Sequence, residues 1–367
     1  MIDFQSISRR IDLPLAAGTI GLLIYGSTVV YSATAKDVPG DPYATLKRQL
    51  TWMAIGIALA ALASALDYNR LRNWALPLYA GTSILLLFVM FFGSSELGAQ
   101  RWIDIGSFRF QPSEFAKAII VITLAVQLAA RKGDLSNPRD TLLAFVHIAL
   151  PVFLIYKQPD LGTALAILAL TLGMIFIAGI PIRHLLIILL IGAVAVLIVF
   201  NFHLLKDYQM KRLIVFLDPE VDPLGAGYNL LQSKIAVGSG FLFGKGFLSG
   251  TQTNLRFLPM RETDFIFAVI GEEFGFIGAL VLISLYALVA LRAIRIATLS
   301  KNLFGTLLAV GIVSMWLFQI LVNIGMTIGI MPITGIPLPF ISYGGSALIT
   351  NLIAVGILQS IYSRRFV

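Results

Sequence analysis

Long apolar runs separated by brief polar breaks dominate this chain. They lie near 12–34, 49–66, 74–93, 115–130, 141–157, 161–180, 183–205, 264–291, 303–327 and 345–363. A helix needs about 20 such residues to cross 30 Å of hydrocarbon. No run alternates with the period of two that a membrane barrel strand requires. The pattern predicts an all-α integral membrane protein with about ten transmembrane helices. No convincing small-residue cleavage site follows the run Leu13 to Ala33, so it reads as an uncleaved anchor.

Composition agrees: 58% of residues are hydrophobic and 13% charged, with a mean hydropathy of +0.88. A soluble core cannot absorb that much apolar surface. The net charge of +8 sits in short clusters between apolar runs, which fits anionic lipid headgroups rather than nucleic acid. There is no cysteine, which excludes disulfides and thiolate sites. Counting Lys and Arg in short loops puts Arg9, Arg10, Arg70, Arg72, Arg131, Arg139, Arg292, Arg295, Arg364 and Arg365 on the cytoplasmic side. Both termini are then cytoplasmic.

Polar chemistry gathers on the other side, in segments 94–114, 206–263 and 328–344. Residues 1–367 read as a single polytopic domain, with 206–263 as a long extracytoplasmic loop. Apolar residues at helical spacing from Tyr228 to Val237 predict an interfacial helix within it.

Each candidate group has an ordinary reading beside the functional one. Asp264 opens the eighth span; it is a desolvated general base or a plain helix-start acid, with Thr263 an equal candidate for the cap. Glu114 and Lys117 share a helix face about 4.5 Å apart along the axis, as a capping pair or as cavity groups. Arg101, Trp102, Arg109 and Gln111 add donors and an aromatic surface that suit a pyrophosphate joined to a sugar. Asp160, in the turn Gln158-Pro159-Asp160, shapes the turn or faces a polar cavity. Around Lys245, the glycines of 238–250 fail the phosphate-loop pattern, which leaves a hinge or a backbone cradle for an anion. Glu272 and Glu273 lie inside a span, where carboxylates are costly. They line an ion path, pair with a base or face a hydrated groove, while Gly271 and Gly275 speak for close packing. His147 reads as a packed structural residue. The uncharged, Pro- and Gly-rich stretch from Met331 to Gly345, with Ser342 and Tyr343, reads as a re-entrant loop walling a lipid groove, or as a surface loop.

Taken together, GAQRWIDIGSFRFQPSEFAK, QPDLGT, DPLGAGYNLLQSKIAVGSG, GKGFLSGTQ, TDFIFAVIGEEFG and PLPFISYGGS resemble the SEDS family (shape, elongation, division and sporulation) of peptidoglycan glycosyltransferases. The forms DYQMKRL, DPLGAGYN and GTQTNLRFLP resemble its elongation branch. The resemblance implies polymerisation of lipid II on the outer face of the cytoplasmic (inner) membrane, for cell elongation and shape. It implies Asp264 as the essential carboxylate, and Arg101, Glu114, Lys117 and Asp160 as cavity residues. Lys245, Ser342, Tyr343, Trp102, Arg109 and Gln111 complete the expected substrate-binding set. The cofactor expectation is either none or a divalent cation, Mg or Mn. The implied partners are membrane lipids, undecaprenyl-pyrophosphate-linked glycan and a class B penicillin-binding protein, a transpeptidase. Relatives often carry Glu and His where this chain has Met260 and Glu262. A lipid II flippase is the rival, drawing on Glu272 and Glu273.

Overall fold

The computed structural model describes residues 11–96, 99–106, 108–201, 207–222 and 225–365; Arg9 and Arg10 lie outside them. Its helices are α1 (Leu13–Thr34), α2 (Ala44–Ala65), α3 (Leu71–Phe92), α4 (Pro112–Ala129), α5 (Pro138–Lys157), α6 (Leu161–Ile177), α7 (Ile182–Asn201), α8 (Asp207–Leu217), α9 (Ala226–Ser239), α10 (Thr251–Asn254), α11 (Ile266–Leu299), α12 (Leu303–Ile328) and α13 (Gly345–Ser363). Among the described residues, eight of these are long and apolar enough to cross a membrane, and Leu161–Ile177 and Ile182–Val194 are shorter apolar helices. The protein is an all-α, multi-pass membrane protein.

Local chemistry sets the helix ends. Asp12 accepts the Leu15 N–H at 2.9 Å, Asn302 accepts the Gly305 N–H at 2.9 Å, and Gly329 ends α12 in the left-handed region at φ +81°. The core runs through α1, α4, α6, α11, α12 and α13.

Two of the basic residues that the loop count groups together, Arg292 and Arg364, lie at the same end of the bundle. There the Arg292 guanidinium pairs with the fully buried Asp12, whose backbone exchanges hydrogen bonds of 2.8 and 3.0 Å with the Gln359 amide. This clamp joins the ends of α1, α11 and α13. Arg364 reaches Asp67 at 3.8 Å on the same face. At the other end of α1, Arg261 donates to the Ala33 carbonyl at 2.8 Å and pairs with Asp37, tying the approach to α11 onto the first helix.

Helix α11 is broken at Gly275, whose φ of 63° and ψ of −157° interrupt an otherwise continuous 34-residue element. In an unbroken helix, Phe276 and Ile277 would donate to the carbonyls of Glu272 and Glu273. Here the stretch 241–246 takes over. Lys245 and Gly246 donate to those two carbonyls at 2.9 and 3.0 Å, and Phe276 and Ile277 donate to Phe241 and Leu242 at 2.9 and 3.1 Å. Open backbone groups at membrane depth cost several kcal/mol each, so the break persists only with this cover. A Cβ on Gly240 would sit 1.8 Å from the Gly271 carbonyl oxygen, and one on Gly244 would sit 2.1 Å from that of Glu273. The glycines of 238–250 thus permit close backbone approach. Two of the N–H groups that a backbone cradle would use, those of Lys245 and Gly246, are taken by the carbonyls of Glu272 and Glu273.

Segment 94–110 is also more ordered than the all-helical pattern suggests. It forms a small antiparallel sheet, β1 (Ser94–Glu96), β2 (Ala99–Ile105) and β3 (Phe108–Phe110). Ile105 pairs with Phe108 across a two-residue connection that opens on Gly106 at φ +61°, a glycine-led hairpin. The helix predicted over 228–237 appears as α9, and its Leu230 and Ala236 pack with Val215, Phe265 and Met326 in a second apolar cluster.

Candidate active site

Asp264 sits two residues before α11, in a run of turns from Met260. It does not cap the helix: the cap position is Phe265, with no side-chain bond, and the Thr263 hydroxyl instead donates to the Met260 carbonyl at 3.3 Å. Both helix-start readings therefore fail. The backbone around Asp264 is held from three directions. Asn323 of α12 donates its amide to the Asp264 carbonyl at 2.9 Å. Ser342 donates to the Thr263 carbonyl at 2.6 Å while accepting from the Leu338 N–H at 2.8 Å. The Tyr343 N–H donates to the Glu262 carbonyl at 2.8 Å. Ser342 and Tyr343 thus reach the site as clamps on backbone beside the carboxylate.

The segment after α12 is irregular yet inward: Ile336, Leu338, Phe340 and Ile341 are buried. Phe340 rests against Gly26 of α1, where a Cβ would meet its carbonyl oxygen at 2.6 Å. This is the buried, irregular backbone of the re-entrant reading. Gly335, at φ +72°, faces Asp264; a Cβ there would lie 3.2 Å from Oδ2. Across the same loop, a Cβ on Gly162 would meet Ile336 at 2.6 Å and the Thr334 carbonyl at 3.0 Å, which brings the start of α6 alongside.

That start carries the second polar group. Asp160 caps α6 with one oxygen, 3.2 Å from the Thr163 N–H, and receives the Ser113 hydroxyl on the other at 3.2 Å. It is both a cap and a site residue. Arg101 of β2 wraps the turn, donating to the carbonyls of Gln158 and Pro159 and standing 4.0 Å from Asp160. Gln111 joins through Ser113 at 3.2 Å. One turn into α4, Glu114 and Lys117 form a buried pair at 2.9 Å. Trp102 is half-buried in β2.

Electrostatics link the two groups. Burial pushes the Asp264 carboxyl up to about 6, against the pull of Arg212 and Arg101 and with a further push from Glu262 and Asp160. Its side chain keeps partial contact with solvent, so it is dehydrated by crowding rather than sealed away. Arg212, on α8, reaches toward the Ile333 carbonyl at 3.5 Å. Neither Arg212 nor Asn323 figures among the sequence candidates. An amide four residues after Gln319 in the largely apolar run FQILVNIGM was the available signal for Asn323; Arg212 had none beyond the basic pair KR.

Two expected members lie elsewhere. Arg109 is an exposed cross-strand partner of Asp104 at 3.7 Å. Lys245 gives its ammonium to Glu272 at 2.9 Å and to Thr251 at 2.7 Å. Glu272 also accepts from the Thr251 and Thr253 hydroxyls and from the Gln252 and Thr253 N–H groups. It anchors the first turn of α10, so the pairing alternative holds for Glu272 and the ion path loses it. Glu273 accepts the Ser32 hydroxyl at 2.6 Å. His147 contacts the Thr123 hydroxyl at 2.8 Å and stacks on Tyr79 at 4.5 Å, a packed role as read from sequence.

Among the described residues, no three His, Cys, Asp or Glu side chains converge to hold a metal ion.

Residues 13–365 match the family described as Cell cycle protein, FTSW_RODA_SPOVE. The chain belongs to that family. The FtsW/RodA/SpoVE match agrees with the motif resemblance along nearly the whole chain. The peptidoglycan glycosyltransferase MrdB of Escherichia coli strain K12 is 41% identical over 353 residues, spanning 94% of this chain and 92% of its own. Among solved structures, a chain from a peptidoglycan synthase complex that coordinates polymerization and crosslinking is 33% identical, with a TM-score of 0.84 over 97% of this chain and 98% of its own. The rod shape determining protein RodA of Thermus thermophilus is 30% identical, with a TM-score of 0.73 over 97% and 98%.

Proposed function

We propose that this member of the FtsW/RodA/SpoVE family polymerises lipid II with Asp264 as general base. Like its relatives of that name, the chain is a peptidoglycan glycosyltransferase. Asp264 takes the proton from the 4-hydroxyl of the acceptor sugar, and the freed oxygen attacks the anomeric carbon of the donor. The bond from that carbon to the pyrophosphate oxygen breaks, and undecaprenyl pyrophosphate leaves with the electron pair. Attack opposite the leaving group inverts the centre and gives a β-1,4 link. Arg101 and Arg212, the two cations whose fields act on Asp264, offset the charge that grows on the pyrophosphate.

The crowded placement of Asp264 carries this reading: a Cβ on Gly335 would lie 3.2 Å from its Oδ2, and Asn323 and Ser342 hold the backbone on either side of it. A carboxyl lifted to about 6 is ionised at neutral pH yet basic enough to accept a proton from an alcohol in the transition state. The site belongs on the extracytoplasmic face of the inner membrane, and the Asp12–Arg292 face is cytoplasmic, as the Lys and Arg distribution supports. The partner is a class B penicillin-binding protein that crosslinks the strands, in keeping with the synthase complex among the structural relatives.

The test is turnover of purified protein with lipid II in detergent, where no two sides exist to flip between. Glycan polymer from the wild type and none from Asp264→Ala is expected. Polymer from both at equal rates removes the base assignment, and polymer from neither returns the flippase reading.

A further inference from the structure

Asn323 ties the backbone of Asp264 directly to the loop opposite it. It lies near the C-terminal end of α12, fully buried, one turn from the buried Gln319 on one side and Thr327 on the other. Its Nδ2 donates to the Asp264 carbonyl at 2.9 Å and to the Ile336 carbonyl at 2.8 Å. Both amide hydrogens are thereby used, and the orientation is fixed because two carbonyl oxygens cannot face an amide oxygen. Its own Oδ1 is buried without a partner.

A buried, unpartnered acceptor costs about 1–3 kcal/mol. A residue chosen for helix stability alone would be Leu or Met, which fit an apolar span without that cost. The two donor contacts offset it, and both end on irregular backbone. One carries the carboxylate; the other is next to Gly335, whose open α-carbon faces Asp264 Oδ2. The gap between carboxylate and loop is therefore set by a single amide on a rigid helix. Ser342 and Tyr343 hold the preceding carbonyls of Thr263 and Glu262, while Asn323 bonds the backbone of Asp264 itself and that of Ile336 in the facing loop.

We propose that Asn323 is a positioning residue for the glycosyl transfer, fixing Asp264 against the 334–336 loop so that its carboxylate stays aimed and crowded. The inference rests on Asp264 being the base. Misplacement by about 1 Å costs roughly a hundredfold in rate, so Asn323→Leu should lower kcat by about ten- to a hundredfold with KM for lipid II changed less than threefold. The acid limb of the pH–rate profile supplies a readout that a packing role would not move. In the wild type it reflects Asp264 among Arg212, Arg101, Glu262 and Asp160. Freed from the clamp, the carboxylate gains water, and the limb should move from about 6 toward the ordinary Asp range near 4. Asn323→Gln, which keeps both donors on a longer stem, should recover part of the rate.

Turnover within threefold of wild type for Asn323→Leu overturns the proposal. So does a loss of rate with an unmoved acid limb, which is the mark of general damage. If Asn323→Leu is not recovered folded, Asn323→Ala, which removes the donor pair without adding bulk or charge, takes its place with the same expected and refuting results. Asp264→Ala runs alongside. An active Asp264→Ala sinks the base reading, whereas an inert one beside an unaffected Asn323→Leu sinks only the positioning role.

Discussion

Replacing Asp264 by Asn should leave the protein inert and at the same time more stable, with the gain confined to one side of the Asp264 titration. The lift of its carboxyl from 3.8 to about 6 is the signature of a charge held where water is scarce. At about 1.4 kcal/mol per pH unit this amounts to roughly 3 kcal/mol against the folded state once the group is ionised. Its residual solvent contact screens part of that, so about 1–3 kcal/mol is the expected range. The folded protein holds this proton more tightly than the unfolded chain, so stability falls as pH rises from about 4 to about 6 and the cost is complete above that. Asp264→Asn cannot ionise and escapes it. Unfolding of wild type and variant in detergent, followed by fluorescence at pH 7.5 and again near pH 4, should show the variant ahead at the higher pH and level at the lower. Polymerisation of lipid II by the variant should drop about 10²- to 10⁴-fold, the usual contribution of a general base. A variant that is no more stable at pH 7.5, or equally favoured at both values, refutes the burial argument. Near-normal turnover refutes the catalytic one.

Two further outcomes follow from contacts outside the carboxylate itself. Glu272→Ala strips the Lys245 ammonium and α10 of their shared acceptor; because Lys245 keeps some solvent, the loss should fall near the low end of about 3–5 kcal/mol, read as an earlier unfolding midpoint with KM for lipid II unchanged. Arg101→Lys keeps the charge but cannot reach Gln158, Pro159 and Asp160 together, so kcat/KM for lipid II should fall about tenfold; an unchanged value would remove Arg101 from the site.

The fold class was legible because lipid imposes one rule on every span, and helix-length apolar runs have no other use here. Boundaries were less so: the eighth run continues to Leu299, since Arg292 and Arg295 end the apolar count without ending the helix. The 99–110 hairpin escaped notice because its signal is one glycine between short strands. In the site, Asp264, Asp160 and Arg101 each had an ordinary reading beside the functional one, and the family resemblance rather than their spacing favoured the latter. For Lys245, sequence shows that a cation is costly but not that Glu272 pairs with it. Asn323 went unnoticed because a single uncharged amide barely lowers hydropathy, and its meaning depends on two carbonyls, one of them 59 residues away.

The broken α11 bears on how the protein is assembled. Its two halves do not share the hydrogen bonds that would make them one rod; the strip 241–246 splints them from the side. That strip precedes α11 in the chain, so it is available when the helix arrives and can be fitted as the halves are seated. It also makes six residues of an interhelical connection part of the membrane-crossing framework. A change of chain length within 241–246 would uncover the carbonyls at the break, because backbone from the loop completes the helix there.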